Sequence, residues 1–399
     1  MSEMKETMFI KSKYSLEDLE QFRDENGFID LSKAGIQLTA ESREKKGTAE
    51  RIKNWVDFHG QKALIRGNAV ENFSMYAELI IEELAKQAGI PVAHYDIVKI
   101  LGEDGTYTYG VLSEAMLDLE REDLLTLHDL IGDEPKVEYT TEEEFLESLE
   151  YEETVKYDFT IERLTKRLED AGYSQEEIEH IIREYQKRLA FALKVIDGDK
   201  HPENIAFIQR EDGKLELSPC FDNEFSLLLE RDPEILQVFL EMGEIGEECD
   251  TVSPKIGTFV SKADGGLGSM WRDTLEILCE DDEVYDFYES LRETLDIEAA
   301  FRVVEERIHA KLPDLVKGVA KKAYEERGKE MAIVMGDEEV MMDQGEKHEP
   351  GFDFLLSILN KGKTEGVRTA EQVRLRATDR SRFKPNQKWN WFRWFRTGG

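Results

Sequence analysis

The hydrophobic pattern of this chain changes period once, near Met116, and that change limits the folds open to it. Before it, Lys62-Ala63-Leu64-Ile65-Arg66 alternates and stops at Gly67-Asn68; then Val70, Phe73, Ala77, Ile80, Ile81, Leu84 and Ala88 recur at helical spacing up to Gly89 and Pro91. This predicts a strand followed by a helix with one buried face. Val92 to Ile100 and Thr106 to Glu114 read as two strands about a turn at Glu103 to Gly105. The polar residues before about position 60 predict two short helices and a turn at Gly47-Thr48. After Met116 the pattern is helical: an acidic stretch from Asp118 to Glu153, then Phe159 to Glu169, Gln175 to Ile196, Glu234 to Met242, Ser269 to Leu278, Val284 to Leu295 and Ile297 to Ala323. The expectation is an α+β chain of two lobes, a small mixed lobe over residues 1–115 and a mainly helical one over 116–345, with a tail at 346–399.

The helical run is broken once by a segment that can carry chemistry. Ile196-Asp-Gly-Asp-Lys-His-Pro-Glu-Asn-Ile-Ala-Phe207 leads into two short strand-like runs, Asn204 to Gln209 and Lys214 to Ser218, and then Leu217-Ser-Pro-Cys-Phe-Asp222. Alone, such Asp-Gly and Pro-Glu-Asn pieces are ordinary turn chemistry. Together they supply what phosphoryl transfer needs: one carboxylate facing the attacking hydroxyl, and an amide oxygen and a second carboxylate to hold magnesium against a triphosphate. Asp199, Asn204 and Asp222 are those groups, and Lys200 and His201 would orient the loop or neutralise the γ-phosphate.

The Gly-Asp-Lys-His-Pro-Glu-Asn run resembles the catalytic loop shared by HipA-like kinases, phosphoinositide-kinase-like enzymes and aminoglycoside phosphotransferases. Leu217-Ser-Pro-Cys-Phe-Asp222 is similar to the Leu-x-Pro-x-Tyr-Asp signature of HipA-like serine/threonine kinases, and the chain looks nearest their compact, CtkA-like branch. The resemblance runs from about Lys45 to Leu229 and implies a two-lobed, protein-kinase-like fold with ATP and Mg²⁺ as cofactors. By position it implies Asp199 as the catalytic aspartate, His201 as a loop stabiliser, and Asn204 and Asp222 as magnesium ligands. Arg66 falls where the family has a phosphate-binding Lys; Lys62, on the same face of that strand, is the alternative. Glu78 matches the helical Glu that pairs with the strand cation, although a solvated face would serve such a helix equally well. Ser113 to Met116, with Glu114 and Ala115, matches the adenine-binding hinge, and Lys45, Lys46 and Gly47 the phosphate-covering loop, beside which Ser42 and Thr48 are candidate phosphorylation sites. The acceptor implied is a protein or peptide hydroxyl. A small-molecule phosphotransferase and a pseudokinase binding module remain open alternatives.

Charge and cysteine usage narrow the rest. At −35 the chain repels a phosphate backbone, so no nucleic-acid partner is expected for the acidic body. Cys220, Cys249 and Cys279 are odd in number and widely spaced, which predicts reduced thiols without disulfide or structural zinc. With no transmembrane or leader pattern, the expected location is cytoplasmic. The residues from Lys361 onward carry eleven Lys/Arg against three Asp/Glu, a net of +8, so the preceding 360 residues hold −43. Lys384 to Arg396 interleaves three Trp and two Phe with basic residues, and a basic, aromatic tail on so acidic a body is expected to dock on it. Removing the residues after Asn360 should therefore lower the melting temperature or alter activity; a truncated chain unchanged in both would exclude docking.

Overall fold

The computed structural model describes residues 9–36, 43–46, 49–67, 72–102, 105–119, 121–131, 161–200, 202–252 and 271–337. Met1–Met335 form one compact unit and Gly336–Gly399 a second. The small lobe is built on a seven-stranded sheet of order β1-β4-β5-β7-β6-β2, with β3 on the outer side of β4. The strands are β1 (Ile10–Lys11), β2 (Ile29–Asp30), β3 (Arg43–Lys46), β4 (Ala49–Phe58), β5 (Gln61–Gly67), β6 (Tyr95–Leu101) and β7 (Tyr107–Glu114). The two short strands β1 and β2 pair parallel with β4 and β6, and the other pairings are antiparallel. Where short helices were expected near the start, there is a 3-10 turn at Glu17–Phe22 and then strands. β4 escapes a reading by composition because the polar Asn54 interrupts its apolar alternation of Ile52, Val56 and Phe58; its pairing with β1, β3 and β5 makes it a strand.

Alternation along β6 and β7 sends successive side chains to opposite faces of the sheet. Val98, Ile100 and Leu112 join Val56, Phe58, Ala63 and Ile65 in a core closed by Leu19, Leu31 and Ile36. Tyr95, Ile97 and Val111 face the other way, onto helix α1 (Ser74–Gln87). In the centre of the sheet Gly110 pairs with Gly67, and a Cβ at Gly110 would lie 2.8 Å from the Gly67 Cα, so the two backbones meet at a distance only glycine permits. This draws the end of β5, and with it Arg66, tightly against β7.

The helical lobe carries α2 (Leu127–Ile131), α3 (Ile161–Asp170), α4 (Gln175–Lys194), α5 (Pro233–Met242), α6 (Ile245–Thr251), α7 (Trp271–Leu278), α8 (Asp282–Thr294), α9 (Ile297–Ile308) and α10 (Asp314–Val334). A capping box starts α4: the Ser174 hydroxyl accepts the Glu177 amide and Glu177 accepts the Ser174 amide at 3.0 Å. The single helix expected over Ile297 to Ala323 is two, because His309 turns into the left-handed region (φ 55°) and Pro313 cannot continue the helix. Within the acidic stretch, Asp123–Thr126 forms a strand, β8, beside the hairpin of β9 (Ala206–Gln209) and β10 (Leu215–Leu217), in the order β10-β9-β8. Among the described residues no helix is long and apolar enough to cross a membrane.

Helix α1 is wedged between the sheet and helix α9, and it is buried nearly all round rather than on one face. Its glutamates therefore need partners, since a buried unpaired carboxylate is prohibitively costly. Glu82, fully buried, accepts from His94 (2.7 Å), Lys86 (2.7 Å), Arg307 on α9 (2.8 Å) and the Tyr95 amide (3.1 Å). Burial alone would raise its pKa, but His94, Arg307 and Lys86 more than offset this and bring it down to about 2. A folded-state pKa below the ordinary 4.5 means that Glu82 stabilises the fold fully above that value and loses its contribution as pH falls toward about 2. Glu82→Ala should cost about 2–4 kcal/mol in urea unfolding at pH 7, because it removes the buried acceptor shared by His94, Lys86 and Arg307 and leaves Arg307 only Glu83, and the deficit should shrink when the titration is repeated near pH 3. A deficit independent of pH would assign the loss to packing instead.

Candidate functional site

Three elements converge at the base of the small lobe. Arg66, near the end of β5, donates through Nη2 to Glu78 Oε1 on α1 and through Nη1 to Asp222 Oδ1 on the loop after β10. Glu78 is fully buried and Arg66 is 12% exposed, so the guanidinium sits between two carboxylates largely out of water. Burial lowers the Arg66 pKa, but Asp222 and Glu78 more than compensate and hold it well above its ordinary value. Burial pushes Glu78 up to about 7 against the pull of Arg66, with Asp222 adding to the rise. The burial of Glu78 decides between the two sequence readings of that residue. It faces the cluster and not solvent.

The loop that brings Asp222 here is fastened to the small lobe. Ala93 N–H donates to Cys220 O and Cys220 N–H to Pro91 O, both at 2.8 Å, a parallel bridge between the α1–β6 connection and the segment before Asp222. The Asp222 amide donates to the Tyr95 phenol oxygen (3.1 Å), and Asn223 donates to Glu78 Oε2 from its amide (2.9 Å) and from Nδ2 (3.3 Å).

The loop after α4 is fastened to the helical lobe instead. Asp197 N–H caps α4 through Ala192 O (3.0 Å), Gly198 N–H donates to Phe225 O (3.1 Å) and Leu127 N–H to Ile205 O (2.7 Å). Asp199 is partly exposed, its amide donating to Asp197 Oδ1 (3.2 Å) and its carbonyl accepting from Asn204 Nδ2 (2.9 Å), so the two residues share one tight turn. Lys200 joins the two loops. Its buried ammonium lies 2.9 Å from Asp197 Oδ2 and donates to Phe221 O and Asn223 Oδ1 at 3.0 Å. Of the two roles read for Lys200, orienting the loop or neutralising phosphate, these three acceptors match the first. Burial lowers its pKa, but Asp197 leads the carboxylates that raise it, and the residue stays charged.

Asp199, Lys200, Asn204, Asp222, Arg66 and Glu78 are thus brought into one bonded assembly. Lys62 is not part of it: four residues from Arg66, or about 13 Å along the strand, its ammonium lies over the Phe9 ring at 5.0 Å. Glu114 ends β7, and the Ala115 amide donates to Lys62 O (2.8 Å), while Met116 packs at the edge of the α1 core. Lys45 and Lys46 lie in β3, paired with β4. Gly47, Ser42, Thr48, His201 and the basic, aromatic tail lie outside the described residues. Asp197, Asn223 and Tyr95 take part in the assembly without having stood out in the sequence. Asp197 belongs to the Asp-Gly-Asp turn and was within reach of a sequence argument, whereas Tyr95 and Asn223 carry no local signal.

Among the described residues no three His, Cys, Asp or Glu side chains are grouped to hold a metal by themselves. The Asn204 amide and Asp222 carboxylate are hard oxygen donors of the kind Mg²⁺ takes when phosphates complete its shell, and they fit that ion.

The sequence profile of the HipA-like C-terminal domain matches residues 59–278, more than half of the chain. No curated protein matches the sequence. Among solved structures, the Helicobacter pylori proinflammatory kinase CtkA aligns with a TM-score of 0.52 at 10% identity, over 75% of this chain and 94% of that one. HipA from the Shewanella oneidensis MR-1 toxin–antitoxin complex with HipB and operator DNA aligns with a TM-score of 0.42 at 12% identity, over 75% and 67%. The α+β fold is therefore the kinase-like one expected from the sequence, and the chain belongs to the HipA-like family of kinase-like proteins.

Proposed function

We propose that this protein is an ATP- and Mg²⁺-dependent kinase that transfers the γ-phosphoryl group to a Ser or Thr hydroxyl of a protein. The observation that carries the reading is the buried Arg66 guanidinium bridging the strand-facing Glu78 and the loop carboxylate Asp222. This couples the cation that would meet nucleotide phosphates to the helix that aligns it and to the carboxylate that would hold the metal. The likeness of fold to a protein described as a kinase supports it.

In this reading Asn204 and Asp222 would hold Mg²⁺, which would supply charge neutralisation for the triphosphate, and Arg66 would bind phosphate. Asp199 orients the acceptor hydroxyl and takes its proton, and Lys200 keeps its loop in register with Asp222. The Glu114 and Ala115 amides are already donated, to His94 O and Lys62 O, so within the Ser113–Met116 segment adenine would be met by Met116. A body of such negative charge favours a basic acceptor.

Incubating the full-length protein with Mg²⁺ and γ-labelled ATP, alone and with a basic protein, should give labelled protein. Asp199→Asn and Asp222→Asn should each reduce the rate by about 100-fold or more; Asp199→Asn should leave the fold intact by circular dichroism, and Asp222→Asn, which also weakens the pairing with Arg66, should be compared at a temperature where circular dichroism shows it folded. Nucleotide binding without transfer to protein, water or small-molecule acceptors would favour a binding module. Absence of ATP binding would overturn the assignment of the site.

A further inference from the structure

Asp222 is held at its side chain by Arg66, but its backbone depends on a residue of the small-lobe sheet. Its φ of 56° places it in the left-handed region, uncommon for a residue other than glycine, so the chain turns sharply just where the carboxylate is presented. On one side of the turn Cys220 is bridged to Pro91 and Ala93, and on the other Asn223 is bound to Glu78. Between these anchors the Asp222 amide donates to the phenol oxygen of Tyr95 at 3.1 Å. Tyr95 opens β6, is 1% exposed, and carries the Arg66 guanidinium carbon 5.9 Å from its ring centroid. A phenylalanine would fill the same space and offer the same ring to Arg66. What only tyrosine adds is an acceptor for an amide that would otherwise be left without this partner at a strained turn.

We propose that Tyr95 is a positioning residue whose phenol oxygen fixes the backbone of Asp222 and so sets the carboxylate for metal binding, a role that rests on the kinase reading above. Tyr95 touches neither nucleotide nor metal in this scheme. Its loss acts on the metal step and leaves the contacts of the nucleotide with Arg66 and the hinge in place.

The test compares full-length wild type with Tyr95→Phe. Mn²⁺ binding in the presence of a non-hydrolysable ATP analogue is measured by electron paramagnetic resonance, and binding of the analogue without metal by calorimetry. The variant should bind Mn²⁺ about tenfold more weakly, as expected for a lost, largely shielded hydrogen bond, while metal-free analogue affinity stays within about twofold. The Mg²⁺ concentration for half-maximal label transfer should rise in parallel. Equal Mn²⁺ affinity in variant and wild type overturns the proposal and leaves the kinase reading standing; a wild type that binds neither analogue nor Mn²⁺ removes both. Wild-type hydrogen exchange gives a check that does not need the variant to fold. The Asp222 amide should be protected, and exchange at the rate of an exposed amide overturns the role of the phenol.

Discussion

A guanidinium shared by two carboxylates in a nearly dry site is the interaction on which the rest of this structure depends. Arg66 and Glu78 come from a strand and the helix after it, and Asp222 from a loop 156 positions beyond Arg66; burying any one of them there relies on the others. Removing one partner of such a set typically costs about 3–5 kcal/mol, because the groups left behind stay buried and uncompensated. The arginine is suited to this place in a way lysine is not. An ammonium is a single point of charge on a flexible stem, whereas the planar fork reaches Glu78 through one nitrogen and Asp222 through the other at the same time.

Around that set the protein divides its anchoring. The Asp222 loop is bonded to the small lobe through Pro91, Ala93, Tyr95 and Glu78, while the Asp199–Asn204 turn is bonded to α4 and to the three-stranded sheet of the helical lobe. The Lys200 side chain crosses between them, from Asp197 to Phe221 and Asn223. Together with the backbone bonds from Gly198 to Phe225 and from Leu227 to Val195, this link fixes the separation of two loops that are otherwise held by different elements. Its burial matters, because an ion pair shielded from solvent is little screened by salt and has few competing rotamers.

The sequence disclosed this arrangement unevenly, for physical reasons. Long amphipathic segments with explicit caps were legible: α4 carries its Ser174/Glu177 box, and the β6–β7 hairpin its alternation about a turn. The Asp199, Asn204 and Asp222 set could be found because its spacing is local and its chemistry restrictive. β4 and β8 were hidden, the one polar and the other four residues long, since each is a strand only by virtue of its neighbours. Whether Glu78 faced water could not be decided either. That depends on Arg66 and Asn223, which reach it only once the chain has folded. Tyr95 and Asn223 are invisible for the same reason: a hydrogen bond to an amide 127 positions away leaves no periodicity.

Two glutamates one turn apart on α1 separate the structural from the functional part of this network. Glu82 meets three cationic side chains and a backbone amide, and its pKa falls to about 2. Glu78, equally buried, shares Arg66 with a second carboxylate and rises to about 7. Burial opposes ionisation at both positions, so the difference lies in the supply of positive charge. At Glu82 the supply exceeds demand, which suits a fixed joint between α1 and α9. At Glu78 and Asp222 it falls short by about one charge, an imbalance that structural ion pairs avoid and ligand sites exploit. A cation arriving at Asp222, with phosphates to draw Arg66 part of the way, would redress it, and under the proposed function that is the role the bound metal would fill.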